Sequence, residues 1–160
     1  MRNIQILCVG KLKESFYAQA VKEYEKRLTP FCKLEIWETP ETRLPDRPSA
    51  SQILAALEKE AAALLPRLEK GGTVVALCIE GEHRSSEALA EQMEAWAVSG
   101  VSKLTFVIGG SYGLAPTVKS RADLRLSLSS MTFPHHLARV MLLEQIYRCF
   151  QLQNGTQYHK

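Results

Sequence analysis

Apolar and polar positions along this chain follow two rhythms that alternate from one end to the other. Residues 4–9 (IQILCV) are almost uniformly apolar and stop at Gly10, which predicts a short, largely buried strand. From residue 14 to 28, Phe16, Tyr17, Ala20, Val21, Tyr24 and Leu28 recur at helical spacing. Residues 33–38 alternate charged and apolar side chains, the pattern of a strand with one solvated face. Helical spacing returns from Ser51 through Ile53, Leu54, Leu57, Ala61, Leu64, Leu65 and Leu68, and Gly71-Gly72 stops it. Residues 73–79 (TVVALCI) are near-continuously apolar, as expected of a central parallel strand covered on both faces. Ser85 or Ser86 caps a helix carrying Leu89, Met93, Trp96 and Ala97, which Gly100 closes. Residues 103–108 and 124–128 read as two more strands, and Pro116 suits the first turn of a short helix between them. A last helix begins near Pro134 and runs to about Leu152. Residues 39–48 hold three prolines and no apolar rhythm, so they form a loop or mobile crossover.

This alternation predicts one three-layer α/β domain over residues 1–160, with a mostly parallel sheet. In such sheets ligands bind outside the carboxyl ends of the strands. Three of those ends carry chemistry here: residues 77–81, 108–114 and 128–136. The loop IGGSYGL (108–114) places three glycines after a strand, which suits either close ligand approach or a plain tight connection. It is not G-x-G-x-x-G and lacks Gly-Lys-Ser/Thr, so dinucleotide binding is disfavoured. In LSSMTFPHHLAR (128–139), a polar run precedes the proline that opens the last helix, and such a loop can present backbone groups to an adenine edge. His136 and Arg139 are three apart and share a helical face, which is either functional or a solvated surface with a cap. The tail NGTQYHK ends in Tyr158, His159 and Lys160, which suit a base and a phosphate unless the terminus is frayed.

Composition narrows the class without changing the picture. Apolar residues at 46% and charged residues at 23% are those of a globular chain. The opening residues MRNIQILCVG are too short and polar for a signal peptide, and no apolar run approaches the roughly 20 residues of a membrane span. The expectation is a cytoplasmic protein with no membrane partner. Cys8, Cys32, Cys78 and Cys149 lack C-x-x-C spacing and fit reduced, packed thiols. His83, His135, His136 and His159 show no metal-ligand spacing with them, so no metal is expected. A net charge of +3 permits an RNA partner without demanding one.

Taken together, VVALCIEG, FVIGGSYGL, LSLSSMTFPHHLARVMLLEQIYR and the terminal YHK resemble the RlmH family of SPOUT methyltransferases, in order and at the right spacing. The resemblance runs the whole length and is densest over residues 73–160. It implies an α/β fold with a C-terminal trefoil knot, S-adenosyl-L-methionine as cofactor and an obligate homodimer. It further implies methylation at N3 of a pseudouridine in large-subunit ribosomal RNA on the assembled ribosome. Cofactor contacts carried over by position fall on Leu77, Gly109, Leu128, Ser129, Ser130, Met131, Thr132 and Phe133. Candidate catalytic residues are His136, Arg139, Tyr158 and His159, with His136 or His159 as proton acceptor and Glu144 structural. Tyr112 occupies a variable place in the family pattern, and Gln157 stands where many relatives have proline.

Overall fold

The computed structural model describes residues 2–68 and 72–160. Strand and helix alternate as the two rhythms require: β1 (Arg2–Val9), α1 (Ser15–Leu28), β2 (Cys32–Thr39), α2 (Ala50–Leu68), β3 (Thr73–His83), α3 (Ser86–Val98), β4 (Lys103–Ile108), α4 (Pro116–Arg121), β5 (Leu124–Ser127) and α5 (His135–Gln153). The strands form one sheet in the order β2-β1-β4-β3-β5, and every neighbouring pair is parallel. Of the helix-stopping pair Gly71-Gly72, Gly71 lies outside the described residues.

Successive strand residues point to opposite faces, and each face buries its own set. Ile4, Ile6 and Cys8 pack with Phe106, Val75 and the apolar faces of α1, α3 and α5. Leu7 and Val9 pack with Val74, Ala76 and Val107 against α2 and α4. Phe106, Leu142, Leu143 and Ile146 are sealed from solvent, and full burial of such a side chain stabilises the fold by about 1.5–3 kcal/mol. The edge strand β2 keeps its charged residues exposed, with the guanidinium of Arg67 stacked 4.2 Å from the Trp37 ring.

The element ends show which local signals acted. Ser85, rather than Ser86, caps α3: its hydroxyl accepts the Ala88 N–H at 3.1 Å, while the Ser86 hydroxyl donates to Gln145. Gly100, at φ +96°, reverses the chain after α3. β3 runs beyond the apolar stretch to His83 because Glu82 and His83 pair with Leu126 and Ser127 after a register shift. A Cβ at Gly81 would lie 2.8 Å from the Arg125 carbonyl, so this bulge crosses β5 at backbone distance.

The proline-rich stretch 39–48 is a loop tied down at several points. Thr42 N–H donates to the buried Glu60 carboxylate at 2.8 Å, and Ser111 N–H donates to Glu41 at 2.7 Å. Its far end is a capping box, in which Ser49 Oγ accepts the Gln52 N–H and Gln52 Oε1 accepts the Ser49 N–H.

Candidate active site

The carboxyl ends of β3, β4 and β5 enclose a cavity of about 800 Å³. Chain order reverses about β3, with β4 on one side and β5 on the other, and such a reversal opens a crevice above the strand ends. The walls come from residues 77–80, 108–114, 126–129 and 131–135 with Lys119 and Ala138, overlapping the three segments singled out in the sequence.

The glycine loop is both a tight connection and a cavity wall. Gly113 N–H donates to Gly110 O at 3.0 Å, and Gly113 takes φ +82°. A Cβ on Gly109 would strike the Gly113 carbonyl, so the fold of the loop itself demands glycine there. The next wall, after β5, has no regular structure and satisfies its backbone locally. Ser127 hydroxyl donates to Ser129 O, and Ser129 Oγ accepts the Met131 N–H, each at 3.0 Å. Leu77, Gly109, Leu128, Ser129, Met131, Thr132 and Phe133 all line the cavity, whereas Ser130 is exposed and does not. Ile79 and Met131, 57% and 72% exposed, leave an apolar rim in the single chain.

Few titratable groups reach this cavity. Glu80 is ion-paired with Lys119, whose hydrogen bond holds the carboxyl below its ordinary range. Partial burial raises the Cys78 thiol. His135 Nε2 is buried without a hydrogen-bond partner among the described residues and faces Glu41 Oε2 at 3.6 Å. Burial, and secondarily the neighbouring His136, lower its basicity.

The structure does not bring His136 and Arg139 to the cavity. His136 Nδ1 faces Glu14 Oε2 at 3.4 Å, with its ring edge-on to Tyr17. Arg139 is 2% exposed, and its guanidinium donates to Glu38 Oε2 at 2.6 Å and to Gly10 O at 3.0 Å. The shared helical face therefore exists, but it packs on the ends of β1 and β2 and braces α5 there. The alternative of a solvated surface does not hold either, because this face is covered. His135, one residue earlier, is the histidine that lines the cavity.

The tail is docked, not frayed. Tyr158 packs edge-on against Tyr147, with centroids 4.9 Å apart, and donates its hydroxyl to Glu144 at 3.0 Å. Arg148 holds Glu144 at 2.8 Å and lies over the Tyr158 ring at 4.8 Å. His159 Nε2 sits 2.7 Å from Glu87 Oε1, and its Nδ1 sits 3.1 Å from Arg148 Nη1. Arginine can only donate, so Nδ1 accepts and Nε2–H donates to Glu87. The acid Glu144 is the hub of this network, as a structural role requires. It also lines a second cavity of about 380 Å³, which shares the wall Leu126, Ser127 and Leu128 with the first.

Sequence spacing missed Glu41, His135 and the Glu80–Lys119 pair, all of which act through tertiary contacts. The Ser49-x-x-Gln52 box was a readable signal for the start of α2.

Solved structures share this all-parallel three-layer fold. A probable methylase family protein from Haemophilus influenzae Rd KW20 superposes with TM-score 0.59 at 13% identity, covering 99% of this chain and 71% of that one. A putative methyltransferase from Legionella pneumophila, solved with bound SAM, superposes with TM-score 0.52 at 10% identity, covering 93% and 66%. A family model described as "Predicted SPOUT methyltransferase" matches residues 2–159, and the chain belongs to the SPOUT methyltransferase family. The ribosomal RNA large subunit methyltransferase H of Bifidobacterium animalis subsp. lactis (strain AD011) is 48% identical over 158 residues, 99% of either chain. Among the described residues there is no cluster able to hold a metal ion and no helix long and apolar enough to cross a membrane.

Proposed function

We propose that this chain transfers a methyl group from S-adenosyl-L-methionine to N3 of a pseudouridine in large-subunit ribosomal RNA. It acts as a cytoplasmic homodimer on the assembled ribosome. The full-length likeness to a large-subunit ribosomal RNA methyltransferase carries this reading, and the cavity supports it. The cavity is large enough for a nucleoside with an amino-acid tail, and its walls mix apolar side chains with backbone groups in irregular loops. When bound there, the cofactor supplies a methyl group activated by a sulfonium leaving group.

The chain's own work is alignment, exclusion of water and proton handling. Leu77, Gly109, Leu128, Ser129, Met131, Thr132 and Phe133 are the cofactor-binding set in this reading, and Ser130, expected among them, lies outside the cavity lining. The N3 of pseudouridine is an imide N–H, a poor nucleophile until its proton leaves. His159 is the candidate acceptor at Nδ1, and it must first exchange its contact with Arg148 Nη1 for one with the base. Tyr158 stacks on the base and Lys160 pairs with a phosphate. His136 and Arg139 serve by fixing the start of α5, which carries the cavity wall at His135.

A homodimer accounts for two features of the single chain. The apolar rim at Ile79 and Met131 needs cover, and the tail docks on α3 and α5 without lining its own chain's cofactor cavity. A second copy packed against α5 answers both. The trefoil threading belongs to the same reading and rests on the family resemblance.

The test is incubation with labelled S-adenosylmethionine and ribosomes from a strain lacking this gene, followed by nucleoside analysis. Label in N3-methylpseudouridine of the large-subunit RNA is the expected result. Label in another nucleoside, or none, contradicts the proposal.

A further inference from the structure

We infer that Glu41, on the proline-rich loop between β2 and α2, is a positioning residue that clamps the glycine loop and the start of α5 into one cofactor-lining wall. The inference rests on reading the cavity as the cofactor site. Glu41 Oε1 accepts the Ser111 N–H at 2.7 Å, at the tip of the glycine loop. Glu41 Oε2 faces His135 Nε2 at 3.6 Å, on the wall that follows β5. One carboxylate thus hydrogen-bonds the glycine loop and lies against the first residue of α5, and no side-chain hydrogen bond joins those two parts directly among the described residues.

Gly110 is the second observation. A Cβ there would lie 2.5 Å from Glu41 Oε1 and 2.7 Å from its Cδ, and its three nearest neighbours are all atoms of that side chain. Gly110 needs no positive φ. Its missing side chain therefore makes room for the clamp rather than for a turn or a ligand. The clamp is itself anchored one residue on, where Thr42 N–H donates to Glu60 at 2.8 Å. A charge-assisted hydrogen bond of this kind orders a backbone segment more firmly than a neutral one. Preordering a wall lowers the cost of binding without touching the transferred group.

The experiment is a double-mutant cycle read by calorimetry with S-adenosylmethionine and S-adenosylhomocysteine, and by steady-state kinetics on ribosomes. Glu41→Ala is expected to weaken cofactor binding about 10-fold and raise its KM equally, with kcat at saturation within about 2-fold. Glu41→Gln keeps an oxygen for Ser111 N–H and is expected to recover most of that loss. Gly110→Ala displaces the carboxylate and is expected to match Glu41→Ala, yet to be silent when added to it. Wild-type affinity in Glu41→Ala overturns the clamp, and so do additive losses in the double variant. A loss that Glu41→Gln does not relieve, accompanied by a lowered unfolding midpoint, reduces Glu41 to a structural residue and also overturns it. Should the wild-type chain bind neither ligand, the cofactor reading falls and takes the clamp with it. A silent Glu41→Ala beside a normal wild type refutes the clamp alone.

Discussion

The glycine loop of the cavity above β3, β4 and β5 keeps its own fold through backbone, whereas Tyr158, His159 and their anchors on α3 and α5 are held by side-chain hydrogen bonds and charge. In the cavity wall, Gly109 lies against the Gly113 carbonyl with no room for one further carbon. At the tail, Glu144, Arg148, Tyr158, His159 and Glu87 form a chain of hydrogen bonds between side chains that are mostly half-exposed. Close packing fails abruptly when an atom is added. Exposed charge pairs are individually weak and open at little cost, which suits a segment that must release a histidine to meet its substrate. One helix joins the two regions: α5 begins at the cavity wall and ends beneath the tail, so its seating sets their separation.

The largest expected effect breaks the backbone-built half alone. Gly109→Ala should weaken S-adenosylmethionine binding about 100-fold or more, equivalent to about 3 kcal/mol, because the loop must open to admit the methyl group. Calorimetry on the folded variant checks it, and near-normal affinity would show that the loop adapts as freely as the tail. Next comes the helix that links the halves. Arg139→Met removes a buried guanidinium, leaves Gly10 O unpaired and leaves Glu38 with the Leu12 N–H alone, with an expected loss of about 2 kcal/mol in denaturant unfolding. A neutral result would mean that α5 is seated by its apolar face alone.

Smaller is the effect of loosening the charge-built half. Arg148→Ala should slow methyl transfer about 10-fold while cofactor affinity stays within about 2-fold. Equal losses in both quantities would erase the distinction between the regions. The smallest effect is one of pH. Partial burial disfavours ionisation of Glu38, but the bonds from Arg139 and the Leu12 N–H outweigh it and hold its carboxyl below the ordinary range. With the folded value depressed, the stability this group contributes is present above the usual carboxylate range and fades as pH falls through the lower folded value. Unfolding curves taken from neutral to acid pH should show that decline in the wild type and much less of it in Arg139→Met.

Much of this arrangement is legible in the sequence. Apolar periodicity located the strands and helices because burial on two faces of a sheet imposes it, and the strand-end rule then pointed to residues 77–81, 108–114 and 128–136. Backbone-built features write themselves into sequence as glycine and proline at strand ends. Charge-built features do not, because partners such as Glu87 and His159, or Glu41 and Ser111, are 70 or more residues apart in the chain. For the same reason His136 and Arg139 could be assigned a common face but not a destination. Only the packing of α5 on β1 and β2 shows that Arg139 is consumed by Glu38 and Gly10. That residues 39–48 form a loop is legible from their prolines, but that the loop is tied down is not, because its order comes from Glu60 and Ser111, neither of which lies within it.

The division of labour between the two halves is tested most directly by deleting Tyr158, His159 and Lys160 and making two measurements on one preparation. These are S-adenosylmethionine affinity by calorimetry and transfer of labelled methyl to ribosomes lacking the modification. Affinity within about 2-fold of the intact chain, with transfer reduced about 1000-fold, is the predicted result, in keeping with the loss of a positioned proton acceptor. Full transfer by the truncated chain would contradict the account, and so would a matching loss of cofactor affinity.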